Sequence, residues 1–190
     1  MRTDWPFGEL QMFGFDLVMI DIPWSFETWS DAGKREKSPE SHYETMTLDE
    51  IRSLPVMDLF GRDGLLWAWA THPMIDQQID MVKRWGFKFV TTGVWVKRTR
   101  TGKLAFGTGY RLRCASEPFI IATTGSPVTS RSIRTVIEGP IRDHSRKPDE
   151  AYREAEKMMP NARRADVFAR QRRSGWAAFG NEIDKFKAVA

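Results

Sequence analysis

A short apolar run at residues 15–20 stops abruptly at Asp21, Ile22, Pro23 and Trp24. A run that is apolar at nearly every position predicts a strand buried on both faces of a sheet. Proline cannot continue a central strand, because it has no backbone N–H to donate. In open α/β sheets, ligands bind just beyond the carboxyl ends of the strands. This tetrapeptide is therefore a candidate site, with an ordinary strand exit capped by Asp21 as the alternative.

The residue types in the tetrapeptide suit recognition of a flat base that carries an exocyclic amine. The Asp21 carboxylate and the backbone carbonyl of Ile22 can both accept hydrogen bonds from such an amine. Trp24 can stack on the base. Pro23 stiffens the turn and keeps the preceding residue extended.

Strand and helix signals alternate along the rest of the chain. We predict further strands at residues 64–71, 87–96, 118–123 and 165–168, and helices at residues 47–54, 74–85, 148–159 and 182–188. Thr47 and Glu50 form a capping box, Gly86 suits a helix C-terminal cap, and Pro148 suits a first helical position. Residues 25–43 and 125–143 are predicted to be long loops. The alternation indicates one α/β sheet within a single domain of residues 1–190.

Composition narrows the class of protein. Hydrophobic residues make up 41% of the 190 residues and charged residues 28%, as in soluble globular domains. No apolar run approaches the ~20 residues of a membrane span, and the first residues lack the apolar core of a signal peptide. Cys114 is the only cysteine, which excludes an internal disulfide and fits a reducing cytoplasm. The three histidines are too scattered to predict a metal site.

Basic residues cluster in one stretch of a chain whose net charge is only +4. Residues 97–116 hold six basic residues and no acidic one: Lys97, Arg98, Arg100, Lys103, Arg111 and Arg113. Such a cluster is typical of a polyanion-binding surface. The alternative is a solvated loop surface.

Taken in order, many short motifs resemble one family. They include the tetrapeptide at residues 21–24 and the segments 42–51, 54–56, 66–68, 85–87, 95–97, 107–110, 144–150, 167–170, 175–176 and 180–182. The chain resembles the adenine-N6 methyltransferases related to the catalytic subunit of the eukaryotic mRNA adenosine methyltransferase. In its compactness it is most similar to the bacterial and phage members of that family.

This resemblance implies a Rossmann-like, S-adenosylmethionine-dependent methyltransferase fold. It implies a single mixed sheet with helices on both faces and a permuted order, in which the catalytic motif precedes the cofactor-binding segments. Asp21 would contact both the target amine and the methionine end of the cofactor, and Lys147 would pair with the cofactor carboxylate. Arg170, Asn181 and Glu182 would hold the ribose and adenine. Ile22 departs from the proline of the family motif but keeps its carbonyl.

The implied reaction is methyl transfer to the N6 amine of adenine in nucleic acid, with DNA favoured over RNA. The target base would have to be flipped out or single-stranded. Lys97, Arg98, Arg100, Lys103 and Arg111 would bind phosphates, and no metal is needed. We expect a homodimer or a partner subunit, no membrane association, and the cytoplasm of a bacterial or phage-infected cell. The alternatives are a non-catalytic nucleic-acid-binding subunit and a methyltransferase of small molecules or proteins on the same fold.

Overall fold

The computed structural model describes residues 5–24, 46–109, 111–143 and 146–189. The predicted loop at residues 25–43 lies outside the described residues.

Strands dominate the described part of the chain. The strands are β1 (Phe15–Ile20), β2 (Phe60–Trp69), β3 (Lys88–Arg98), β4 (Ser116–Thr124), β5 (Val136–Pro140), β6 (Arg164–Val167), β7 (Gln171–Arg173), β8 (Trp176–Phe179) and β9 (Phe186–Val189). The α-helices are α1 (Leu48–Ser53), α2 (Ile75–Arg84) and α3 (Asp149–Met158). Short 3₁₀ turns span Val56–Leu59 and His72–Met74. Within the described residues, no helix is long and apolar enough to span a membrane.

Seven strands form one mixed sheet in the order β5-β3-β4-β2-β1-β6-β8, and β7 pairs with β9 in a separate parallel ribbon. In the large sheet, β4 is antiparallel to both neighbours and the other pairs are parallel. The carboxyl ends of β1, β2, β3, β5, β6 and β8 therefore lie at one edge, together with the start of β4. We call this the carboxyl edge.

Side chains of β1 alternate between two cores, one on each face of the sheet. Val18 and Ile20 pack in a core that α1 and α2 help to form. Leu17 and Met19 pack in the core on the other face, to which α3 contributes. All four side chains are fully buried, as expected for a central strand. The predicted α/β architecture, a mixed sheet with helices on both faces, is confirmed.

Local sequence signals determine where the helices begin and end. The Glu50 N–H donates to Thr47 Oγ1 at 3.3 Å, and the Thr47 N–H donates to Glu50 Oε2 at 2.7 Å, so the predicted capping box is present. Helix α2 ends just before Gly86, whose φ of 97° requires a residue without a Cβ. Pro148 lies one residue before α3, as its N-cap, and not at the first helical position that we predicted.

Three expectations about the later part of the chain were wrong. Residues 125–143 contain β5, residues 182–188 include the start of β9 and no helix, and β7 and β8 were not predicted. β5 is the outermost strand of the sheet, and its residues alternate between exposed and buried. It therefore lacks the continuous apolar run of a central strand. β9 exists because its backbone pairs with β7: the Phe186 N–H donates to the Arg170 carbonyl at 3.2 Å. Such non-local pairing overrides the helical pattern.

Candidate active site

The tetrapeptide that follows β1 is anchored to the neighbouring strand. The Asp21 N–H donates to the Val167 carbonyl at the end of β6, at 3.1 Å. The Ile22 carbonyl accepts the Trp24 N–H at 2.9 Å, which closes a tight turn. A carbonyl oxygen has two lone pairs, so that of Ile22 can still accept a second donor. The backbone thus holds Asp21 at the carboxyl edge, where a site was predicted.

Lys147 joins Asp21 to a second carboxylate. Its Nζ lies 2.8 Å from Asp21 Oδ2 and 2.8 Å from Glu117 Oε1. Lys97 Nζ lies 2.8 Å from the other Glu117 oxygen. The Lys147 side chain is only 9% exposed, so its charge needs both carboxylates. The structure therefore brings Asp21 and Lys147, two of the predicted site residues, into direct contact.

Sequence reasoning missed Glu117. The residue lies in β4, next to the basic stretch, and it is the first acidic residue after Asp80, with 36 positions between them. A lone acid directly beyond a basic cluster was the signal that could have identified it. It compensates the charges of Lys97 and Lys147.

Burial and charge shift the carboxyl groups in opposite directions. Burial raises the pKa of Asp21 above its usual range, Lys147 opposes this, and the negative charge of Glu117 adds to it. Burial would also raise the pKa of Glu117, but Lys147 and Lys97 outweigh it and lower that pKa to about 2. Burial disfavours the charged form of Lys147, yet the two carboxylates raise its pKa well above the usual value. Glu117 is thus the more strongly acidic of the two groups that hold Lys147.

A crevice at the carboxyl ends of β1 and β6 brings together three of the predicted residues. Asp21, Lys147 and Arg170 line it, with Tyr152, Asp166, Phe168 and Phe186 among the other walls. Arg170 forms an ion pair with Glu182, which also pairs with Lys185 at 2.7 Å. Neither Asn181, which is exposed, nor Glu182 is part of the lining, and Glu182 lies next to the crevice through its pair with Arg170. The roles of Arg170, Asn181 and Glu182 in cofactor binding remain predictions.

The crevice has a volume of about 20 Å³, and the charge types of its groups match those of S-adenosylmethionine. The cofactor's methionine end carries a carboxylate and an ammonium, which match the Lys147 ammonium and the Asp21 carboxylate that lie side by side. Glu182 beside Arg170 offers acceptors for ribose hydroxyls. The turn after β6 has no glycine-rich sequence, and Phe168 there takes a φ of 62°, a left-handed conformation uncommon for a residue with a side chain.

A buried polar pair supports the floor of the crevice. The Tyr152 hydroxyl of α3 donates to Asp166 Oδ2 of β6 at 2.8 Å. The guanidinium of Arg173 lies 3.7 Å from the centre of the Tyr152 ring and pairs with Asp149 at 2.7 Å. Burial raises the pKa of Asp166 to about 7, although Tyr152 and Arg173 oppose the shift. Sequence reasoning missed Asp166, whose signal was an acid between the apolar residues Ala165 and Val167 of a predicted strand.

Core packing holds Trp24 in place, and a backbone hydrogen bond holds Pro23. The Trp24 side chain is 5% exposed and belongs to the core that contains α1 and α2. The Pro23 carbonyl accepts the Met46 N–H at 2.9 Å. The stacking role predicted for Trp24 remains untested, and the structure shows its ring in the core.

The predicted phosphate-binding residues lie at the carboxyl edge, in or beside the connection between β3 and β4. Lys97 pairs with Glu117, and Arg98 pairs with Glu138 at 2.8 Å. Arg100, Lys103 and Arg111 are exposed. Asp21 lies at the same edge, so the basic residues and the crevice share one surface of the protein.

The mixed sheet, with a carboxylate at the end of β1 and a lysine paired with it, is consistent with the α/β fold of S-adenosylmethionine-dependent methyltransferases. Comparison with known families agrees, because the MT-A70 family profile matches residues 15–182. The chain belongs to the MT-A70 family. MT-A70 methyltransferases use S-adenosylmethionine as the methyl donor.

The relatives of this chain have names that state an activity. The chain is 34% identical over 92% of its length to the "N(6)-adenosine-methyltransferase MT-A70-like" protein of Arabidopsis thaliana, and it covers 24% of that protein. It is 29% identical over 90% of its length to "N(6)-adenosine-methyltransferase catalytic subunit METTL3" of Homo sapiens, covering 28% of it. The "N6-methyladenosine RNA methyltransferase MTA1" of Pyricularia oryzae is 28% identical, over 91% of the chain and 48% of the relative. The chain thus spans from about a quarter to about half of these proteins.

Proposed function

We propose that this protein transfers a methyl group from S-adenosylmethionine to the N6 amine of adenine in nucleic acid. The observation that carries the proposal is the contact between Asp21 and Lys147 at the end of β1. These residues lie far apart in the sequence, and both were assigned from the family motifs. Membership of the MT-A70 family and the names of the relatives support the same reaction.

The residues of the chain would act by placement and charge. The Asp21 carboxylate and the Ile22 carbonyl accept the two N–H groups of the target amine, which frees its lone pair from the ring and aims it at the methyl group. S-adenosylmethionine, when bound, supplies an electrophilic methyl group on a sulfonium. One C–N bond forms, one C–S bond breaks, and the nitrogen loses one proton. Asp21 can accept that proton because burial raises its pKa.

RNA is the substrate that the relatives favour. Their names specify adenosine or RNA, and these relatives are plant, animal and fungal proteins. The expectation of DNA, and of a bacterial or phage origin, gains no support from these names. DNA remains a prediction, which methyl-transfer measurements on both RNA and DNA test.

A partner subunit is a further part of the proposal. The human relative is named a catalytic subunit, and this chain spans 28% of it. A role as a non-catalytic binding subunit is the weaker alternative, because both Asp21 and Lys147 are present and in contact.

Methyl transfer from radiolabelled S-adenosylmethionine tests the proposal directly. Single- and double-stranded RNA and DNA of mixed sequence serve as substrates, and digestion identifies the labelled nucleoside. We expect N6-methyladenosine as the labelled product of the wild type. The rate of transfer should be roughly 100-fold or more lower in Asp21→Asn, since that variant keeps the shape of the side chain and removes its charge. Asp16→Asn is the matched control, because Asp16 pairs with Arg163 on the protein surface.

Label in deoxyadenosine alone would establish DNA as the substrate. Label in neither nucleoside, with S-adenosylmethionine bound normally, would favour the non-catalytic subunit. Full activity of Asp21→Asn would refute the assignment of the site.

A further inference from the structure

The carboxyl edge carries a second crevice, several strands away from Asp21. It lies between the turn that follows β3 and the end of β5, and it is open to solvent, with a volume of about 420 Å³. Its walls are Arg98, Thr99, Arg100, Thr101, Pro140 and Ile141. A volume of this size falls within the range of small-molecule sites.

Hydrogen bonds hold the walls of the crevice in place. The Ile141 N–H donates to the Arg98 carbonyl at 2.9 Å, which ties the two sides together. The Thr99 N–H donates to the Lys103 carbonyl at 2.8 Å, and the Lys103 N–H donates to Thr99 Oγ1 at 3.1 Å, which close the turn. A crevice that is formed beforehand loses less conformational entropy when a ligand binds.

The chemistry of the walls is that of a nucleotide site. Among the described residues, no carboxylate pairs with the exposed Arg100, whereas Arg98 pairs with Glu138. Guanidinium groups bind phosphate with two hydrogen bonds. Pro140 and Ile141 supply an apolar surface beside them, and the Ile141 side chain is 50% exposed. A nucleotide with its phosphate at Arg100 and its base against Ile141 would match both the charged and the apolar wall.

The position of the crevice relates it to the candidate active site. β3 is separated from β1 by β4 and β2, so the two sites lie three strand spacings apart, or roughly 14 Å. That distance corresponds to roughly four stacked nucleotides at about 3.4 Å each, and to fewer in an extended strand. The ion pairs of Lys147 and Lys97 with Glu117 lie between the two sites.

We propose that this crevice binds a nucleotide that flanks the target adenine in a single strand. The inference rests on the proposed function, since it takes Asp21 as the place of the target base. The crevice would extend the contact with substrate beyond the reacting nucleotide, and it would make binding depend on substrate length.

Binding of fluorescent single-stranded RNA, measured by anisotropy, tests the crevice without any need for turnover. The probes are a trinucleotide and a nonanucleotide, each with one central adenine, in the presence of S-adenosylhomocysteine. In the wild-type protein we expect tighter binding of the nonanucleotide. Arg100→Glu and Ile141→Asp should each weaken nonanucleotide binding by about tenfold, the scale of one lost phosphate or stacking contact, and leave trinucleotide binding unchanged.

Lys88→Glu is the matched control, because Lys88 is exposed on the same strand as Arg98 but at the opposite edge of the sheet. Equal weakening of both probes by Arg100→Glu, or the same loss in Lys88→Glu, would reduce the effect to general charge and overturn the proposal. Equal affinity of the wild type for both lengths would also overturn it. Arg100→Gln and Ile141→Ala repeat the test with smaller changes if either variant unfolds.

The two proposals fail separately. Without methyl transfer in any substrate the proposed reaction is wrong, while length-dependent binding that responds to Arg100 would still establish the crevice. Methyl transfer with equal rates for both lengths, in wild type and variants, would leave the reaction established and remove the crevice.

Discussion

Three residues decide the protonation of the site. Asp21 must be ionised to accept hydrogen bonds from the amine, and burial raises its pKa. Lys147 lowers this pKa and Glu117 raises it, and both lie in direct contact with the same ion-pair network. The activity of the protein should therefore fall at low pH as Asp21 takes up a proton.

At low pH the profile of kcat against pH has an acidic limb, where kcat falls as Asp21 takes up a proton. Two charge-neutralising variants should move this limb in opposite directions. Glu117→Gln removes a negative charge near Asp21, so the pKa of Asp21 falls and the limb of the pH–kcat profile moves to lower pH. Lys147→Gln removes a positive charge, so the limb moves to higher pH. The profiles are measured at saturating S-adenosylmethionine and substrate. Shifts of the same sign in both variants would contradict the coupling.

Asp166 makes a contribution to stability that depends on pH. Its pKa is about 7 in the folded protein and 3.8 as the ordinary value. Below pH 3.8 both states bind the proton, and between these values only the folded state does. The contribution of Asp166 to the free energy of unfolding therefore falls as pH rises, by about 1.4 kcal/mol per pH unit at most.

Asp166→Asn removes this pH dependence and keeps an acceptor for the Tyr152 hydroxyl. We expect the Tm of the variant, relative to wild type, to rise between pH 4 and 7 and then level off. Tyr152→Phe is the companion variant, because it removes a hydrogen bond that lowers the pKa of Asp166. In this variant the pKa of Asp166 rises, so its pH-dependent loss of stability extends to higher pH than in the wild type. A Tm difference that stays constant with pH in Asp166→Asn would contradict the raised pKa.

Among the elements, the segment after β8 closes one side of the cofactor crevice. It places Glu182 against Arg170, and Phe186 lines the crevice, with the guanidinium of Arg146 5.1 Å from the centre of its ring. The segment leaves the sheet at Gly180, where a Cβ would lie 2.4 Å from the Ala169 carbonyl oxygen. Only glycine allows β8 and the turn after β6 to approach so closely.

Gly180→Ala should therefore shift this segment. We expect a loss of about 1–3 kcal/mol in the free energy of unfolding from overpacking, measured by urea denaturation. Calorimetry should show weaker binding of S-adenosylmethionine, because Glu182 moves away from Arg170. Gly61→Ala is the control, since its Cβ would meet nothing closer than 3.7 Å. Unchanged cofactor affinity in Gly180→Ala would show that the segment takes no part in the crevice.

At the scale of the whole molecule, the sheet places the basic stretch between β3 and β4 at the carboxyl edge. Lys97, Arg98, Arg100, Lys103 and Arg111 all lie in or next to the connection between β3 and β4. Lys83 and Lys88 lie at the opposite edge, where α2 ends and β3 begins. A polyanion should therefore bind at the edge that holds Asp21.

The salt dependence of nucleic-acid binding tests which of the two edges binds the phosphates. For single-stranded RNA, each phosphate contact contributes about 0.7 to the slope of log Kd against log salt concentration. We expect Arg100→Ala with Lys103→Ala to reduce the slope by about 1.4 if each holds one phosphate. The double variant Lys83→Ala with Lys88→Ala should leave the slope unchanged. Equal slopes in both double variants would place the nucleic acid elsewhere.

The sequence determined the features that depend on neighbouring residues. The apolar run of β1 determined a buried strand, Thr47 and Glu50 determined the start of α1, and Gly86 determined the end of α2. Ordered motifs also identified Asp21 and Lys147 as parts of one site. These signals are local, because capping, turn conformation and periodicity act within a few residues.

Only the tertiary structure decided the features that depend on distant parts of the chain. The strand β9 forms because β7 offers it a partner, against its own helical pattern. Glu117 joins the site because β4 runs antiparallel to β2 and brings its first residues to the carboxyl edge. Trp24 is buried rather than open because the two helices α1 and α2 help to form the core around it. Pairing and burial are set by which surfaces meet, and no window of neighbouring residues contains that information.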